Sequence, residues 1–97
     1  MEANQTVFDR IASLGAHFKA YRKAIGLSQQ DVHRKTGVAM STISLFENGK
    51  GQGLSLAHCF LLLDALDLGV EPDTLVPEVH QVNLAKEWEK QNKRHKG

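Results

Sequence analysis

Apolar side chains recur along the N-terminal part of the chain at helical intervals. Val7, Ile11, Leu14, Phe18, Tyr21 and Ile25 follow one another at steps of 4, 3, 4, 3 and 4, the stripe of an amphipathic helix. Gly26 stops it. The next segment is polar, with Val32 as the one inward position among Gln29, Gln30, Arg34 and Lys35. Ser28 is a favoured N-cap for this segment, and Asp31 can reach back to the Ser28 amide as in a capping box. The box usually carries Glu or Gln there, so Asp31 is expected to make a weaker version. Gly37 ends the helix where positive φ is wanted, a conformation glycine adopts without steric cost. A second short helix is predicted from about residue 40 to residue 48. Ile43 and Phe46 share one of its faces with Glu47 adjacent, and the turn dipeptide Asn48-Gly49 closes it.

Helical spacing returns over residues 55 to 68. Leu56, Cys59, Phe60, Leu63 and Leu66 repeat at short helical intervals, and Leu61, Leu62 and Leu68 widen the face. That helix is too apolar for a surface element, so it is expected to serve as core and as a candidate interface. Pro72 and Pro77 break residues 70 to 77, which leave room for one short turn of helix. A last helix is predicted to start at Pro77, which suits the first helical position. Val79, Val82 and Ala85, or Leu84 and Trp88, would form its seam, and residues 90 to 97 are polar and basic. This tail either dimerises or docks, or folds back on its own domain.

The length of 97 residues suits one small domain with one core. Net charge is only +1, but its distribution is uneven. Lys19, Arg22, Lys23, Arg34, Lys35 and Lys50 stand against Asp31 and Glu47 between residues 17 and 50. Asp64, Asp67, Glu71, Asp73 and Glu78 face no Lys or Arg between residues 54 and 80. Such a split either draws one end to phosphate or represents ordinary solvated charge. Cys59 is solitary, which excludes a disulfide within one chain, and it is read as a buried structural thiol. No apolar run approaches the ~18 residues of a membrane span, no signal peptide opens the chain, and a reducing cytoplasm fits.

Two short helices joined by a glycine turn are the layout of a helix-turn-helix, whose second helix lies in the DNA major groove. The sequence resembles the lambda-repressor/Cro-like family, also called XRE-type regulators. The resemblance is carried by Gly26-Leu27-Ser28-Gln29, Gly37-Val38, Ser41-Thr42-Ile43-Ser44 and Glu47-Asn48-Gly49-Lys50, with Leu14, Phe18 and Arg22 upstream. It spans roughly residues 8 to 70. The implied fold is all-α, a five-helix lambda-repressor-like helix-turn-helix domain over residues 1–76 with a C-terminal helical extension over residues 77–97.

The same resemblance assigns roles to residues. Ala39, Met40, Ser41, Ser44 and Leu45 would contact bases. Gln29, Thr42, Asn48 and Lys50 would contact phosphates, and Arg22 and Glu47 would form a buried ion pair between the first helix and the recognition helix. The base-contacting set departs from familiar examples, which often carry Gln, Arg or Asn. Met40, Ala39 and Leu45 can touch thymine methyl groups, and the serines discriminate weakly, so DNA shape or residues outside this helix are expected to help. Arg34 and Lys35 either approach the DNA backbone or are simply solvated.

Nothing in the sequence suggests catalysis, a metal or a cofactor. His17, His33, His58, His80 and His95 lack metal-site spacing. His58 and Cys59 are helix neighbours pointing ~100° apart, so they cannot form a dyad. His33 is read as solvated. The expected partner is double-stranded DNA, with two copies on an inverted-repeat operator because one such domain buries too little DNA. Either the long apolar helix or the C-terminal helix would supply the twofold contact. A second expectation is an antitoxin that binds a toxin protein and represses its own operon. The stretch FENGKGQGLSLAHCFLLLDALDLGV is similar to HipB-type antitoxins, although Glu71-Pro72-Asp73 follows where those tend to add a strand.

Overall fold

Thr6 and Ser28 open the first two helices by the same device. Each hydroxyl accepts the amide of an aspartate three residues on, at 3.0 Å, and that aspartate accepts the cap's own amide, at 3.1 Å for Asp9 and 2.8 Å for Asp31. Asp therefore closes both boxes although its side chain is shorter than that of Glu. Hydrogen bonds to the Ser28 amide and hydroxyl hold the Asp31 carboxyl below its ordinary pKa.

The computed structural model describes residues 6–79. The predicted seam of Val82, Leu84, Ala85 and Trp88, the basic residues 90–97, and His80 and His95 lie outside the described residues. In chain order the helices are α1 (Val7–Ala24), α2 (Gln29–Thr36), α3 (Met40–Glu47), α4 (Leu56–Ala65) and α5 (Pro72–Leu75). No strand occurs among the described residues. Pro72 takes the first position of α5, a single short turn.

α3 lies at the centre of the packing, with α1 and α2 against it, and α2 also meets α4. The core comprises Phe18, Val32, Val38, Ile43, Phe46, Leu62, Ala65 and Leu66, rimmed by Leu27, Leu54, Leu63 and Leu68. The rings of Phe18 and Phe46 meet at 5.3 Å between centroids and 57° between planes, a tilted arrangement that suits their quadrupoles. Burying side chains of this size contributes roughly 1.5–3 kcal/mol each.

Two helices present other faces to the core than the apolar pattern predicts. On α1, Val7, Leu14, Tyr21 and Ile25 stay between 43% and 57% exposed, and Phe18 alone of the stripe is buried. At ~100° per residue those four lie to one side of Phe18, while Ile11, Gly15 and Arg22 lie to the other. The second side turns inward. Gly15 allows it, because a Cβ there would stand 1.9 Å from the Phe46 carbonyl oxygen. Arg22 completes it by pairing with α3.

On α4 the buried positions are Leu62 and Ala65, with Leu66 at the C-cap, while Leu61 is 41% and Leu56 76% exposed. Cys59, Phe60 and Leu63 are half-buried. Cys59 is thus less enclosed than expected, and its partial burial pushes the thiol pKa up. The end of α4 is a Schellman motif, with the Leu68 amide on the Leu63 carbonyl at 2.9 Å and the Asp67 amide on that of Asp64 at 2.9 Å. Asp67 occupies the left-handed position with φ 60°, where the described chain otherwise uses glycine.

Candidate nucleic-acid interface

The turn between α2 and α3 is tied by side chains as well as by its glycine. Gly37 has φ 78° and its amide donates to the His33 carbonyl at 2.7 Å. Thr36 Oγ1 donates to the Val32 carbonyl at 2.8 Å and accepts the Val38 amide at 3.0 Å. His33 is half-buried, and its Nδ1 lies 2.8 Å from the Val38 carbonyl. A carbonyl only accepts, so this nitrogen carries the proton. His33 is therefore a tie across the turn instead of a solvated residue. A hydroxyl-bearing Thr just before the helix-ending glycine was the available sequence signal, whereas His33 gave none.

A buried ion pair fixes α3 to α1. Arg22 Nε donates to Glu47 Oε2 at 2.7 Å and Nη2 to Oε1 at 2.9 Å, a planar fork on a carboxylate. Its remaining Nη1 donates to the Leu27 carbonyl at 2.7 Å, and both residues are only 5% exposed. Gln29 Nε2 adds a bond to Glu47 Oε1 at 3.0 Å. Burial alone would push the Glu47 carboxyl up. Hydrogen bonds from Arg22 and Gln29, with the charges of Arg22 and Lys19, outweigh it and hold the carboxyl below its ordinary range. The Arg22 guanidinium is raised by its bond to Glu47, against the effect of burial.

With Ile43, Phe46 and Glu47 turned inward, the opposite face of α3 is outward. Ala39, Met40, Ser41, Leu45 and Asn48 are exposed on it, and Ser44 is half-buried. Ala39 caps α3 without a side-chain hydrogen bond. Asn48 Nδ2 donates to Ser44 Oγ at 3.4 Å, a long bond. Thr42 and Leu45 join exposed Lys50 along a groove of about 300 Å³, whose other walls are Gly51, Gly53, Leu54, Ser55 and His58. The Lys50 amide donates to the Leu45 carbonyl at 2.8 Å, so the backbone that carries this cation is held to the helix end. Sequence spacing assigns Ser55 no role and weighs His58 only as a metal ligand or a partner of Cys59. They reach the groove only because the loop after α3 folds α4 back beside it.

Gln29, Lys35 and Arg34 each have a partner within the chain. Gln29 is half-buried on the ion pair, with one amide hydrogen committed there. Lys35 Nζ donates to the Ala65 carbonyl at 3.3 Å, at the end of α4, where a cation complements the helix dipole. Arg34 lies 3.7 Å from Asp31 on the surface of α2. Among the described residues no His, Cys, Asp and Glu group is arranged to hold a metal ion, and no helix is long and apolar enough to cross a membrane.

Comparison with curated proteins and with solved structures gave no match. The helix-turn-helix family model matches residues 18–72, more than half of the chain and all of α2, α3 and α4. The chain belongs to the XRE/lambda-repressor-like helix-turn-helix family, a family of DNA-binding transcription regulators.

Proposed function

We propose that the protein is a homodimeric transcriptional repressor that binds an inverted-repeat operator near its own promoter, acting in the cytoplasm and without catalysis. The observation that carries this reading is the outward face of α3, locked to α1 by the Arg22–Glu47 fork. A recognition helix must be rigid to select bases, and this one is fixed on its inner face while its outer face stays open. Ala39, Met40, Ser41, Ser44 and Leu45 are the base-facing set. Lys50, Thr42, Asn48 and Gln29 are the backbone-facing set, which would set register without reading sequence.

Two copies on a palindrome double the contact that one small domain makes. Exposed Leu61 on α4, and Leu75 and Val76 at the end of α5, offer apolar surface for the twofold contact. The test is a gel-shift titration on the DNA upstream of its own gene, with Lys50→Ala alongside. Support is a salt-sensitive shift on an inverted repeat that Lys50→Ala weakens evenly across sequences. No selective shift at low salt would refute the reading.

A further inference from the structure

The outward face of α3 is apolar where readers of bases need paired hydrogen-bonding groups. Met40 is 41% and Leu45 51% exposed. At ~100° per residue, Ser41 and Leu45 form one outward row and Met40 and Ser44 another. Ser44 Oγ accepts a long bond from Asn48 at 3.4 Å and keeps its own hydrogen, so Ser41 and Ser44 each offer a single hydroxyl to the base edges. None of these side chains carries the two-pronged set of donors or acceptors that bidentate reading of guanine or adenine requires. Set against polar base edges, Met40 and Leu45 would strip water from groups they cannot bond. The apolar group that the major groove offers is the 5-methyl of a pyrimidine.

We propose that α3 selects its DNA through pyrimidine 5-methyl groups, with Leu45 and Met40 as the readers. This rests on the placement of α3 in the major groove. Thymine and 5-methylcytosine present the same methyl at the same ring position, so either can be the source.

The experiment uses the full chain and a duplex enriched by it from a random-sequence pool. Each thymine of the half-sites is replaced singly by deoxyuridine, which removes only the methyl. Loss of one buried methyl-sized group predicts a drop in affinity of about fourfold at one or more positions. Leu45→Ala or Met40→Ala should bring the thymine-to-uracil ratio at those positions toward one, whatever the variants' overall affinity. A purely structural role would not move that ratio. At a responsive position, a 5-methylcytosine pair that binds at least fourfold better than a cytosine pair identifies both sources. Equal binding of the two confines the reading to thymine.

Uracil substitution without effect at every position, with selective binding intact, overturns methyl reading and leaves the repressor assignment standing. An effect of uracil that persists unchanged in both variants overturns it as well, since DNA shape would then be the cause. Failure of the pool to yield any enriched duplex removes both this proposal and the operator-binding assignment.

Discussion

Arg22 on α1 and Glu47 on α3 meet through two parallel hydrogen bonds, at 2.7 and 2.9 Å, across a gap that both helices close over. The pair spans 25 residues of sequence, so it ties the first helix to the recognition helix directly. Removing one partner strands the other charge away from water. Glu47→Ala is expected to cost about 3–5 kcal/mol, a large share of what a domain of this size has. Urea denaturation would show it as a midpoint moved far down or as loss of the transition. An unchanged midpoint would rule out the burial.

The same carboxylate makes stability sensitive to acid. Its pKa is lowered in the folded chain, so the unfolded chain binds a proton more readily. The stabilisation is complete above the ordinary glutamate range, about 4.3, and disappears as pH falls through the lower folded value. Thermal melts between pH 7 and 3 should therefore decline steeply only below about pH 4. Glu47→Gln should shrink that limb of the curve, with Asp31 among the carboxylates that keep the remainder, provided it still melts cooperatively.

Gly15 and the Phe46 carbonyl define how close α1 comes to α3. Helix propensity alone favours Gly15→Ala by up to ~1 kcal/mol. The added methyl would sit 1.9 Å from a backbone oxygen that no rotamer change can move. Overpacking costs of ~1–3 kcal/mol are typical where side chains can adjust. Here α1 must shift as a whole, so the clash should win by about 1–2 kcal/mol or more. A raised melting temperature in Gly15→Ala would show that the helices do not meet this closely.

Asp67 offers the opposite case, a side chain where glycine would serve better. Its φ of 60° is a left-handed conformation that an L residue enters at a cost, and its negative charge sits at the C-terminal end of α4. Asp67→Gly removes both penalties and adds backbone entropy to the unfolded chain, which offsets part of the gain. A net stabilisation of about 0.5–1 kcal/mol is expected, or ~2–8 °C in melting temperature. A fall in melting temperature would mean that the carboxylate holds this turn.

Much of the fold was legible because short-range rules govern it. Ser28, Asp31, Gly37 and Asn48-Gly49 act on their own neighbours, so spacing alone marks the ends of α2 and α3. The rotation of α1 was not legible. Apolar periodicity favours Val7, Leu14 and Tyr21, whereas the close approach to Phe46 turns Gly15 inward and the pair with Glu47, which the family resemblance implied, turns Arg22 inward. Leu56 misleads in the same way, since it fits the stripe of α4 but lies ahead of the turns that α2 covers. At the candidate interface, the outward residues of α3 follow from its inward ones. His33, Ser55 and His58 depend on how loops return, and no local pattern encodes that.

The central claim is that α3 reads bases, and a gain of function tests it most directly. Ser41→Gln places a two-pronged amide on the outward face, a group suited to adenine N6 and N7. Binding sites would be selected from a random duplex pool by the native chain and by this variant. The account predicts inverted repeats with half-sites centred about 10–10.5 base pairs apart or a multiple of that. It further predicts that the variant acquires an adenine preference at one symmetric pair of positions, with the rest of the site unchanged. Identical selected sites for the two proteins, or enrichment without twofold symmetry, would contradict it.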